Sequence, residues 1–158
     1  LHIAIDMTRA NHESNRGNMT KESIEKEYFK AIRKVGGVLS MYTSHKKYPL
    51  YGFGGKYPYG TKVSDCFALN GDIYNPEING GIEGVIKQYT HVNKSYVHWL
   101  NSPRKIGGVL EQVNNFCEYS GHMSKAVDPN RTETGIREYN VLLVLADGDF
   151  DDQRVIVD

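Results

Sequence analysis

Residues 1–11 read LHIAIDMTRAN. The apolar run from Leu1 to Ile5 has the look of a buried strand, and it stops on Asp6. A hydroxyl follows two positions later at Thr8, and a methyl two after that at Ala10. Side chains two apart in extended chain share a face, so Asp6 and Thr8 are presented together and Ala10 brings no oxygen. A second segment has the same design. Tyr139 to Ala146 (YNVLLVLA) is nearly all apolar after Asn140 and ends on Asp147-Gly148. A strand apolar on both faces is usually central in a sheet covered by helices. In such a sheet the carboxyl ends of parallel strands lie on one edge, where ligands bind. If the two segments are parallel neighbours, Asp6 and Asp147 converge and repel, so a positive group belongs between them. A divalent cation is one solution, and an arginine or lysine is the other.

The intervening chain supplies the other layers. RANHESNRGN (9–18) is polar and reads as a loop. Thr20 is placed to cap a helix, and Ile24, Tyr28, Ile32, Val35, Leu39 and Tyr42 recur at spacings of three or four. Gly36-Gly37 costs that helix about 1 kcal/mol per glycine, a cost that close packing on a sheet would justify. Residues 49–54 (PLYGFG) and 62–69 (KVSDCFAL) read as strands, and NGDIYNPEINGG as a surface connection. A short helix is predicted over 81–89, a strand over 96–100 (YVHWL), a helix over 105–119 and a polar loop over 121–135. Strands alternating with helices argue an α/β domain with a mostly parallel central sheet and helices on both faces.

Composition narrows the function. The 158 residues suffice for one domain, taken as 1–158. Lys plus Arg and Asp plus Glu are 19 each, which argues against non-specific nucleic-acid binding. Two cysteines, Cys66 and Cys117, outside any Cys-x-x-Cys pair argue against a zinc ribbon or disulfide scaffold and suit a reducing compartment. No stretch is long and apolar enough for a membrane helix and no signal peptide is visible, so a cytoplasmic location is expected. The sequons at Asn18, Asn93 and Asn130 are then chance. GFGG (52–55) lacks the Lys-Ser/Thr of a phosphate loop, and His12-Glu13 lacks the second histidine of a zinc protease. Asp149, Asp151 and Asp152 do not follow the EF-hand pattern and read as a solvated helix start. The eleven tyrosines are expected in core or interface. No nucleophile constellation points to an enzyme.

IDMTRAN, YPLYGFGGKYP, TKVSDCFALN, YNPEINGGIEGV and LLVLADGDFDD, in this order and spacing, resemble the copine type of von Willebrand factor A domain over essentially the whole chain. The resemblance implies a Rossmann-like fold that is C-terminally incomplete here, the last strands and helices being absent. A piece of this extent is expected to gain stability when lengthened past Asp158. The resemblance also implies a metal-ion-dependent adhesion site. Asp6, Thr8 and Asp147 match its ligands. Ala10 stands where a second hydroxyl belongs, and in NSPRKIGG Arg104 falls on the position of a ligating threonine. Magnesium requires about six oxygens, so a degenerate site with at most weak magnesium binding and no tightly held cofactor is expected. The cation's ground should be held by Arg104, or by Lys105 on the neighbouring register.

The function this implies is a non-catalytic protein-interaction module that docks a protein partner through the loops around Asp6, with Arg9, Asn11, His12, Arg104 and Lys105 as contacts. Two alternatives stand beside it: an A domain that positions substrate for a RING-type ubiquitin ligase, and a structural subunit of a large assembly. Copines bind calcium and anionic phospholipid through C2 domains, which this sequence lacks. Membrane association is therefore expected of a longer protein, peripherally, and not of this chain.

Overall fold

The computed structural model describes residues 1–8, 21–43, 45–56, 63–95, 98–99, 103–127 and 139–152. Along the chain run β1 (His2–Asp6), α1 (Lys21–Leu39), a 3-10 turn (Ser40–Tyr42), β2 (Tyr48–Phe53), β3 (Gly55–Lys56), β4 (Phe67–Ala68), β5 (Glu77–Ile78), α2 (Gly81–Ser95), β6 (His98–Trp99), α3 (Gly107–Val127) and β7 (Leu142–Leu145). The main sheet has the order β4-β2-β1-β7, with β5 also paired to β2. β1 is central and parallel to both long neighbours, with Ile5 opposite Gly52 and Leu145. The antiparallel pairs, β2–β4 and β2–β5, involve only two residues per strand, so the sheet is mostly parallel.

The two-residue period sorts β1 between two cores. Ile3, Ile5 and Met7 pack with Ile24, Tyr28 and Ile32 of α1 and Val85, Ile86, Tyr89 and Val92 of α2. Ala4 faces the other way, with Tyr51 and Phe53, against Ile106 and the α3 residues Val109 and Val113. Helices therefore cover both faces, and every β1 residue is buried. Each fully buried large apolar side chain contributes about 1.5–3 kcal/mol.

Several elements differ from the sequence reading. The expected strand over 62–69 shrinks to β4, which is antiparallel to β2. The stretch read as a plain connection contains β5. α2 runs to Ser95 instead of stopping at Tyr89, and α3 continues to Val127, into the predicted loop, whose remainder lies outside the described residues. Of the predicted strand 96–100, the described His98–Trp99 pairs with β3 in a separate ribbon and not with the main sheet. Thr20 lies outside the described residues.

The Gly36-Gly37 pair has a different reason from the one expected. A Cβ on Gly36 would come within 2.1 Å of Ile82 Cδ1, so the glycine lets α1 approach α2, not the sheet. A Cβ on Gly37 would meet nothing within 4 Å. Gly37→Ala is therefore expected to stabilise the chain by up to about 1 kcal/mol in urea unfolding, while Gly36→Ala gives no gain.

His2 is buried on the α3 side of β1. Its ring stacks parallel to Tyr51 at 6.2 Å and meets the edge of Phe116 at 5.2 Å, and Nε2 lies 3.2 Å from Asn140 Oδ1. Nδ1 is buried without a hydrogen-bond partner among the described residues. Burial holds the imidazole below its ordinary pKa, against the pull of the Asn140 bond. The unfolded chain then takes up this proton first as pH falls. The contribution is complete above the unfolded value, about 6.5, and declines below it. Urea midpoints measured across pH 7 to 5 should fall for the native chain, and this component should vanish in His2→Phe.

Candidate functional site

β1 and β7 end side by side at the carboxyl edge of the sheet, and this brings Asp6 and Asp147 to one place. Asp6 is fully buried there, and its Oδ1 accepts the Thr8 amide at 2.8 Å. Thr8 is 1% exposed and follows the short bond from the Met7 amide to the Phe53 carbonyl, which continues the β1–β2 pairing. Gly54 has φ +71, and a Cβ there would lie 2.3 Å from Thr8 Cγ2. The glycine after β2 thus both turns the chain and leaves room for the Thr8 methyl, which fixes the threonine beside Asp6.

The group between the carboxylates is the Arg104 guanidinium, from the loop before α3. Nε donates to Asp6 Oδ2, and Nη2 donates to Asp147 Oδ1 at 2.6 Å, with Thr8 Oγ1 at 3.4 Å. Nη1 reaches the Asp149 carbonyl at 3.3 Å. A fork that spans two carboxylates is the geometry at which arginine excels. Gly148 makes room for it, since a Cβ there would meet Nη1 at 2.4 Å. The arginine side chain is only 12% exposed. Burial pushes the Asp6 carboxyl above its usual pKa, while the Thr8 amide and Arg104 pull it back.

Two further acids hold the arginine's loop. Asp151 Oδ2 accepts the Arg104 amide at 2.6 Å, and the Asp151 amide donates to the Arg104 carbonyl at 2.8 Å. Asp152 accepts the amides of Ile106 at 3.1 Å and Gly107 at 2.7 Å, and so caps α3 from across the site. The expectation of a solvated helix start at Asp149–Asp152 is corrected here: Asp151 and Asp152 bind backbone amides of another element. The hint in the sequence is a cluster of acids just past a strand end, facing amides that a helix start leaves without intrahelical partners. Asp152→Ala is expected to cost about 1 kcal/mol in chemical denaturation, the usual worth of an N-terminal cap.

Lys105 points elsewhere. Its ammonium lies 3.9 Å from Asp65 with both side chains about half exposed, a pairing worth little. Arg9, Ala10, Asn11 and His12 lie outside the described residues. Among the described residues, no group of three His, Cys, Asp or Glu side chains is arranged to hold a metal ion. The donor set at Asp6, Thr8 and Asp147 does not fit a divalent cation, because the Arg104 guanidinium occupies the position between the two carboxylates.

Comparison with known proteins places this architecture. The copine family model matches residues 18–158. Protein BONZAI 1 of Arabidopsis thaliana is 35% identical over 123 residues, and Protein BONZAI 2 of the same plant is 32% identical over 123 residues. Each alignment covers 77% of the chain and 18% of the relative, so the chain spans less than a fifth of the curated relatives it matches. The mostly parallel sheet with helices on both faces fits part of a von Willebrand A-type domain. With the family model covering most of its length, the chain belongs to the copine family.

Proposed function

We propose that this chain is a non-catalytic protein-interaction module whose adhesion edge is held together by an internal arginine instead of a metal ion. The observation that carries this reading is the Arg104 guanidinium seated between Asp6 and Asp147. A cation at that point would have to displace a charge that is already paired. Because the guanidinium is mostly buried, it organises the edge, and the partner meets the loops around it. Loops carried on a rigid sheet edge are the usual place for such contacts. Lys105, half exposed beside Arg104, together with Arg9, Asn11 and His12 of the first loop, would make them. A non-catalytic role agrees with the state of the thiols: burial pushes Cys66 up to about 12 and raises Cys117, so neither is a ready nucleophile at neutral pH. A cytoplasmic, membrane-peripheral setting in a longer protein belongs to the same reading.

The test is capture of binding proteins on the immobilised chain in chelator and in magnesium. The same set should be recovered in both, with Lys105→Glu weakening it and high salt reducing it. A set that disappears with chelator alone would overturn the reading.

A further inference from the structure

From Tyr28 to Ser64 the chain carries seven Lys and Arg and no Asp or Glu, although the whole chain is neutral. This stretch includes the connection from α1 to β2. β2 is parallel to β1 and β7, so the connection lies at the amino edge of the sheet, opposite Arg104. There the surface becomes apolar as well as basic. Val38, Met41 and Tyr42 are 55%, 75% and 80% exposed, and Lys34, His45, Lys46 and Lys47 around them are exposed too. Lys34, Val38 and Met41–Tyr42 fall at helical spacings of four and three to four, on one side of α1 and its 3-10 extension. The Ser40 hydroxyl on the Gly37 carbonyl and the Gly81 amide on the Lys46 carbonyl hold the turn in shape. Glu83 of α2 pairs with Arg33 at 2.8 Å, and Glu77 lies half-buried on β5 opposite Pro49. Lys34, Lys46 and Lys47 pair with no carboxylate among the described residues.

We propose that this α1–β2 turn docks on an anionic lipid bilayer, with Met41 and Tyr42 entering the interface and Lys34, Lys46 and Lys47 meeting the headgroups. An apolar knob ringed by cations matches the two layers of such a surface in order, acyl chains inside and negative charge outside. The turn's cations without a carboxylate partner among the described residues are all lysines. Protein interfaces are depleted in lysine and enriched in arginine, whereas headgroup attraction needs only point charge. Tyrosine suits the boundary because its ring is apolar and its hydroxyl remains wet. The contact is independent of calcium, since it is made by cations. It is also separate from the arginine edge on the far side of the sheet.

Co-sedimentation of the full chain with phosphatidylcholine vesicles containing about one-third phosphatidylserine, in chelator, tests this. Binding is expected to these vesicles and not to pure phosphatidylcholine. Lys46→Ala with Lys47→Ala should weaken partition roughly 25-fold, taking about fivefold per lysine. Met41→Ser with Tyr42→Ser should weaken it while melting temperature is retained, because both side chains are exposed. Lys94→Ala, at the end of α2, should change nothing. Equal binding to neutral vesicles, or no effect of the lysine pair, would overturn the proposal. Failure to bind vesicles combined with lysine-dependent binding of soluble polyglutamate would also overturn it and assign the turn to an acidic protein. Neither outcome bears on the arginine edge, whose test is the metal dependence of protein capture.

Discussion

Arg104→Ala should destabilise the chain by about 3–5 kcal/mol, the cost of removing one partner from a buried charge pair. Asp6 is fully buried, and its Oδ2 loses the guanidinium while Oδ1 keeps the Thr8 amide. Asp147 loses its arginine contact as well, and two carboxylates then face each other across the strand ends. Most of the loss reflects the uncompensated charge, not the intrinsic worth of the pair, and this can be separated experimentally. Asp6→Asn combined with Arg104→Ala should recover a large part of the stability, because neither charge remains. The pH dependence has a definite sign. Burial already raises the Asp6 carboxyl, and Arg104 is one of the groups that lower it. Without the arginine the folded-state pKa rises further above the unfolded value. A carboxyl raised in the folded state favours folding as it becomes protonated, so the deficit of Arg104→Ala should shrink as pH falls. Equilibrium urea unfolding of both chains from neutral to acidic pH measures it. A deficit below 1 kcal/mol at neutral pH would mean that the pair is a bystander.

Ala10→Ser combined with Arg104→Thr should give a chain that magnesium stabilises, where the native chain is expected not to respond. The two changes return the hydroxyls of the Asp-x-Thr-x-Ser segment and of the later loop, and they remove the competing positive charge. With Asp6, Thr8 and Asp147 they bring the protein oxygens toward the number that an octahedral cation requires once water fills the rest. Ligand that binds only the folded state adds about 2.7 kcal/mol at a hundredfold excess over Kd. A melting temperature that climbs with magnesium in the double variant, beside a flat response in the native chain, is the expected result. Micromolar magnesium binding to the native chain in calorimetry would contradict the whole account of the edge.

How much of this was legible before folding depends on the range of the interactions. β1 and β7 could be read because strands buried on both faces need unbroken apolar runs, and the carboxylates that end them stand out for that reason. α1 was legible through its stripe, although Thr20 and residues 9–12 lie outside the described residues. β4 was read too long and β5 was missed, because two-residue pairings are fixed by the neighbouring strand and leave almost no local pattern.

At the site, the sequence by itself determined the chemical components: two strand-end carboxylates, a hydroxyl two residues on, a methyl in place of the next oxygen, and a basic pair in a distant loop. Tertiary structure alone decided which cation enters, since Arg104 and Lys105 are adjacent and only the loop's path turns one inward and leaves the other beside Asp65. It also decided the clasp, in which Asp151 and Asp152 hold amides of a segment more than forty residues earlier. The physical reason is that a side chain's local pattern reports whether it is buried, while its partner across the sheet edge is set by the packing of every element between them.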